Sequence, residues 1–175
     1  RQRLRQAIAP RFDFEEMAKR SLGQHWQRYE SRKKEFVSAF TDFVEDSYLS
    51  KIEAYKNEKI LYNRERVDKG FAEVDTKVVT SKGDEIPINY RLHSVAGEWK
   101  IYDVLIENVS LVNNYRSQFN RILSTSSFDE LLKKLQEKRA AQYLKHGVKE
   151  RLLDKRMADE TIFDNKRLAK AIDPS

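Results

Sequence analysis

Residues 97–119 read Gly-Glu-Trp-Lys-Ile-Tyr-Asp-Val-Leu-Ile-Glu-Asn-Val-Ser-Leu-Val-Asn-Asn-Tyr-Arg-Ser-Gln-Phe, and two periodicities meet inside them. The first half is rich in aromatic and β-branched residues and alternates as a strand does. Trp99, Ile101, Leu105 and Val109 are expected on one side, Tyr102, Val104 and Ile106 on the other. A strand apolar on both faces needs cover on both, which places it centrally in a sheet. At Ser110 the period changes. Ser110 can cap a helix, and Leu111, Tyr115, Phe119 and Ile122 then share one helical stripe. A core strand that feeds directly into a helix able to fold back over the sheet sets the expectation of an α+β fold.

Working toward the N-terminus, residues 85–95 alternate Ile86, Ile88, Tyr90 and Leu92 with polar residues. Residues 71–80 do the same with Ala72, Val74, Thr76 and Val78 against Glu73, Asp75 and Lys77, and residues 59–67 alternate weakly. The connections are short, so the four strands are expected as an antiparallel meander. Pro87 cannot donate to a ladder and is expected at an edge or at a bulge where the sheet bends. Helices with bulky stripes flank this unit. Asp13 can cap a short helix over residues 14–22 that ends at Gly23, and Ser31 is expected to open the longest helix, carrying Phe36, Phe40, Phe43 and Val44. Beyond the central helix, Ser127 or Asp129 can start another through Leu131, Leu132 and Leu135. Residues 1–9 look like the end of a helix stopped by Pro10. The expected architecture is N-terminal helices, a curved four-stranded antiparallel sheet and C-terminal helices covering it. An apolar cavity lies between, in the general shape of NTF2-like and cystatin-like folds. Residues 1–143 would form this domain and residues 144–175 a charged extension, helical or frayed.

Composition narrows the functional classes. The 175 residues suffice for one domain with a substantial core. The net charge of +6 favours anionic partners without selecting one, since lysines and arginines are interleaved with acids and form no stripe along which a phosphate backbone could lie. There is no cysteine, which excludes disulfides and thiolate metal sites. No apolar run approaches the length a membrane-spanning helix needs. His25, His93 and His146 fall in different elements, and neither a Gly-x-Ser-x-Gly elbow nor a phosphate-binding loop occurs. Asp103 in mid-strand is the one candidate acid or base, with His93 the other polar group to examine if the cavity belongs to a small enzyme.

Four separate patches carry a resemblance. Trp-Lys-Ile-Tyr-Asp-Val (99–104) with Val-Ser-Leu-Val-Asn-Asn-Tyr-Arg-Ser-Gln-Phe (109–119), Phe-Asp-Phe-Glu-Glu-Met-Ala (12–18) followed by Leu22-Gly23 and Trp26, Ile-Pro-Ile (86–88) with Tyr-Arg-Leu (90–92), and the helix after Ser127 resemble the MlaC, or toluene-tolerance, family of periplasmic phospholipid-binding proteins. The resemblance runs over about residues 4–138. Two features depart from it: Asn108 stands where a glycine is expected after Glu107, and residues 144–175 have no counterpart. Family members begin with more of the first helix, so the chain is expected to be trimmed there and its export signal already removed.

The resemblance implies a monomeric periplasmic shuttle that maintains outer-membrane lipid asymmetry. It would exchange phospholipid with an outer-membrane lipoprotein–porin complex and with an inner-membrane ABC transporter that carries a lipid-binding domain. It would catalyse no reaction, hold no metal or cofactor, bind no nucleic acid and carry the phospholipid as cargo. The cavity wall is then expected from Phe36, Phe40, Val74, Val78, Ile88, Tyr90, Leu92, Trp99, Ile101, Tyr102, Val104, Ile106, Val109, Tyr115 and Phe119, with Arg91, Lys100 and Arg116 as headgroup ligands at the mouth. The alternatives are a small cavity enzyme and a carrier of another apolar ligand that would dispense with the phosphate contacts.

Overall fold

The computed structural model describes residue 6, residues 9–54 and residues 59–147. The expected helix over residues 1–9 and the extension beyond 147 lie outside most of that range. Helix α1, Phe14–Leu22, starts where Asp13 accepts a hydrogen bond from the Glu16 amide at 3.0 Å, with Glu15 and Glu16 in its favourable first turn. It ends at Gly23, whose amide returns to the Lys19 carbonyl. A 3-10 turn over Glu30–Arg32 precedes helix α2, Lys33–Ala54, so Ser31 sits inside that turn and does not cap the helix. Strands β1 (Lys59–Asp68), β2 (Phe71–Val79), β3 (Glu85–Val95), β4 (Glu98–Ile106) and β5 (Val109–Ser110) follow, and then helices α3 (Leu111–Thr125) and α4 (Phe128–Gly147). Ser110 caps α3 by accepting from the Asn113 amide, and Ser127, not Asp129, caps α4 by accepting from the Glu130 amide.

Among the described residues the sheet has five antiparallel strands in sequence order, one more than the alternation predicts. The extra strand is the two-residue β5, folded back on the end of β4 by the turn Glu107–Asn108. Both turn residues are left-handed, at φ 49° and 65°, as a type I′ connection requires. Asparagine tolerates that conformation better than most residues, which is why Asn108 can stand in the place of glycine. Lys69–Gly70 and Ala96–Gly97 make the same kind of two-residue turn.

Pro87 lies in β3, the middle strand, at neither an edge nor a bulge. Its carbonyl accepts from the Glu107 amide at 2.9 Å. A residue's N and O point the same way in a strand, so the missing N–H falls where β4 turns out of the sheet and no donor is required there.

Register corrects the face assignment of the central strand. Arg91 pairs with Asp103 and Leu92 with Ile101, leaving Tyr102 as an extra residue in β4. This bulge resets the alternation. Ile101, Val104 and Ile106, with Trp99, therefore share one face with Leu92, Tyr90 and Ile88, whereas Asp103 and Leu105 lie opposite. Tyr102 joins the latter face, its ring edge-on to Phe71 and His93 at 6.2 and 5.3 Å. A second bulge at Asn63 resets β1, so that Ile60, Tyr62 and Val67 share the face of Val78, Thr76 and Ala72.

The helices cover that shared, inner face at the end marked by Ile86 and Ile106. Both are buried in one core with Met17, Leu22, Phe36, Phe40, Phe43, Tyr115, Phe119, Leu131 and Leu135, and Val78, Ile88 and Val104 pack against it. Aromatic rings interlock α2 with α3: Phe36 and Phe40 meet Phe119 edge-on at 5.8 and 6.2 Å, and Phe40 and Phe43 meet Tyr115 at 5.9 and 5.7 Å. Helix α1 runs beside the edge of β4, where the Asp13 amide donates to the Ile101 carbonyl at 2.8 Å.

Candidate lipid-binding site

The two faces of the sheet differ sharply in charge. Along the paired residues of β1 to β4 the inner face carries one charged side chain, Glu65, among Ile60, Tyr62, Val67, Ala72, Val74, Val78, Ile88, Tyr90, Leu92, Ile101 and Val104. The outer face carries the ion pairs: Arg66 with Glu73 at 3.2 Å, Lys77 with Glu85 at 3.2 Å and Arg91 with Asp103 at 3.7 Å. Alternation alone explains an apolar face that meets a core. What it does not explain is that this core covers only part of the face. Ile86 and Ile106 are buried, yet Val74, Val78, Ile88, Tyr90, Leu92, Ile101 and Val104 are only half-buried, and β1 is exposed along its whole length. Apolar area of the inner face is thus left uncovered by the helical core.

The expected site residues separate into four groups. Val74, Val78, Ile88, Tyr90, Leu92, Ile101 and Val104 come together as the half-buried inner face, with Trp99 at its exposed rim. Phe36, Phe40, Tyr115 and Phe119 are fully buried against one another and with Ile106 form the closed floor, while Val109 is half-buried against it. Tyr102, Arg91 and Lys100 lie on the outer face and do not join the row, because the Tyr102 bulge and the register of His93 with Lys100 turn them away. Arg116 is exposed on α3; its side chain lies across Gly23 and donates to Asn113.

Ile60, Tyr62, Val67 and Ala72 complete the inner face and escaped the sequence reading of the site. Their signal was present in the spacing. Ile60 and Val67 are an odd number of residues apart, so sharing a face requires one inserted residue between them, and the weak alternation of this strand is that insertion.

Apart from Glu65 on the exposed β1, the polar groups on the inner face are neutral. The Thr76 hydroxyl donates to the Ile88 carbonyl at 2.6 Å. Desolvation raises the Tyr90 phenol above its ordinary value, and neighbouring Tyr62 adds to the shift, so Tyr90 stays protonated at neutral pH. Asp103, the candidate acid or base, is 3% exposed. It accepts from the Ser110 hydroxyl at 2.5 Å and from the Val104 and Val112 amides at 2.9 and 3.1 Å, so its lone pairs are spent on holding α3 to the sheet. His93 is paired with Asp13 at 2.8 Å on the outer face. Among the described residues no group of three or more His, Cys, Asp or Glu could hold a metal ion, and no helix is long and apolar enough to cross a membrane.

This two-faced sheet over an aromatic floor has relatives. The fold is similar to that of a phospholipid-binding protein from Ralstonia solanacearum solved in complex with a phospholipid, with a TM-score of 0.72 over 81% of this chain and 83% of that one at 22% identity. The chain is 25% identical over 141 residues to the intermembrane phospholipid transport system binding protein MlaC of Haemophilus influenzae, covering 77% of this chain and 65% of that protein. It is also 25% identical over 103 residues to the toluene tolerance protein ttg2D of Pseudomonas putida, covering 58% and 45%. It therefore spans less than two thirds of the length of either relative. The family model described as MlaC protein matches residues 1–137, which takes in the strands, the floor and the first half of α4, and the chain belongs to the MlaC family.

Proposed function

We propose that this protein binds one phospholipid with its acyl chains against the inner face of the sheet and carries it between membranes in the periplasm. The observation that carries this reading is the apolar face left half-buried above a closed core. Burial of an acyl chain against water is worth about 0.8 kcal/mol per CH₂, so two chains with about 28 methylenes together gain about 20 kcal/mol. Release into water is then negligible, whereas transfer into a bilayer, which offers a similar gain, is near neutral. That balance suits carrying rather than storing. The partners at the two ends are an outer-membrane lipoprotein–porin complex and an inner-membrane ABC transporter with a lipid-binding domain. The protein acts as a monomer, catalyses no reaction and requires no cofactor. Residues 1–143 form the carrier unit, and residues 144–175 are a charged extension to it.

The lining of the site follows the register: Val74, Val78, Ile88, Tyr90, Leu92, Ile101 and Val104 contact the chains, with Tyr62 beside Tyr90 and Trp99 at the rim. Arg116 remains the cation available to a headgroup, while Arg91 and Lys100 serve the outer surface. Mass spectrometry of an organic extract from purified, unsupplemented protein tests the proposal, beside the intact native mass. Stoichiometric diacyl phospholipid supports it. A different apolar molecule at the same stoichiometry would replace phospholipid with that ligand, and an empty extract with no mass lost on denaturation would remove the carrier reading.

A further inference from the structure

We propose that the end of the sheet formed by the β1–β2 and β3–β4 turns inserts into the interfacial layer of a lipid bilayer. The turns Lys69–Gly70 and Ala96–Gly97 lie side by side, held by a hydrogen bond from the Ser94 amide to the Gly70 carbonyl at 2.9 Å. Four large apolar side chains stand exposed around them: Val67 at 61%, Phe71 at 49%, Val95 at 36% and Trp99 at 43%. Single exposed apolar residues are ordinary on a protein surface; four around one end of a sheet form a patch.

Their distribution selects the partner. Val67 and Trp99 lie on the inner face, Phe71 and Val95 on the outer face. A folded protein docking on one face would leave the other pair in water. A fluid headgroup layer closes around a protruding edge from both sides, and it accommodates an indole at its polar boundary. Charge at this end balances, Asp68 against Lys69 and Glu98 against Lys100. Insertion is therefore driven by apolar area and not by attraction to anionic lipid, so it persists in high salt. The end also lies where the half-buried inner face opens, beyond Leu92 and Ile101. It thus supplies the contact through which a carried lipid could pass, a link that rests on the function proposed above, although insertion itself does not require it.

The test uses vesicles of phosphatidylcholine with brominated acyl chains. The chain holds two tryptophans, Trp99 at this end and Trp26 buried in the core, so quenching on vesicle addition should be lost in Trp99→Phe. Phe71→Ser, on the face away from the acyl-chain site, should lower partitioning to the vesicles about tenfold. Its lipid content and thermal midpoint should match the parent protein. Val95→Ser provides a second probe from the same face, should Phe71→Ser disturb the packing on Tyr102. Quenching that survives Trp99→Phe, partitioning unchanged by both serine variants, or binding abolished by salt would each overturn the proposal. Vesicle binding by protein that yields no extractable lipid would remove the carrier reading and leave the insertion standing.

Discussion

The Ser110 hydroxyl donates to Asp103 Oδ2 at 2.5 Å, while Ser110 Oγ itself accepts from the Asn113 amide at 3.0 Å. One serine thus joins the buried end of β4 to the first turn of α3. The Asp103 carboxylate completes the joint by accepting from the Val112 amide, an otherwise orphan donor of the helix start. The groups occupy the place where strand becomes helix, so the direction in which α3 leaves the sheet depends on them. Asp103→Ala strands two buried donors, the Ser110 hydroxyl and the Val112 amide, takes an acceptor from the half-buried Val104 amide, and should cost about 3 kcal/mol in urea unfolding. Asp103→Asn, which keeps an acceptor, should cost about half of that. Both should retain bound lipid, and loss of lipid from well-folded Asp103→Asn would give this carboxylate a role beyond the joint.

Val104 and Leu105 are neighbours in sequence and lie on opposite faces. A carboxylate at Val104 would point into the apolar site, where an unpaired charge is costly to desolvate, whereas at Leu105 it would join the charged outer surface. Val104→Glu should abolish lipid loading and Leu105→Glu should leave it intact, both read by extraction from folded protein. Equal loading of the two variants would show that the acyl chains lie elsewhere. Ile106→Glu is a poorer probe, since Ile106 is buried in the core and the variant should fail to fold.

Tyr90 sets an alkaline limit. Burial raises its phenol, so the folded protein holds a proton that the unfolded chain releases once the pH passes about 10. The stabilisation is complete below that pH and is lost as the pH climbs through the raised value of the folded state. Tyr90→Phe should flatten this part of the fall in the urea midpoint between pH 9 and pH 11. A steepness unchanged by the substitution would show that Tyr90 is solvated.

Gly23 ends α1 at φ 55°, ψ −123°, a conformation that a side chain resists, and a Cβ there would meet Arg116 Cδ at 3.0 Å. Gly23→Ala should cost about 2 kcal/mol. The Arg116 side chain is flexible and can move, so Gly23→Ala combined with Arg116→Ala should recover little of that loss. Full recovery in the double variant would assign the cost to the contact rather than to the backbone.

The elements themselves were legible before any coordinates. Asp13, Ser110 and Ser127 cap because their short oxygens reach the third amide on, and Gly23 stops α1, all of which are local interactions that the sequence alone determines. The strands and their order followed from short connections, since two or a few residues leave no other partner in reach. Facing was decided only by tertiary structure. A bulge at Tyr102 shifts every later side chain of β4 to the other face, and another at Asn63 does so in β1, because the period of a strand is two and one inserted residue inverts it. Whether a bulge forms is settled by what lies across the sheet, here Arg91 and Asp103 on one side and the helical core against Val104 and Ile106 on the other. Without that register, alternation alone cannot show that Arg91 and Lys100 belong to the outer face and not to the mouth of the site. The sequence by itself determined an apolar sheet with helices to cover it, and folding decided how much of that sheet the helices leave uncovered.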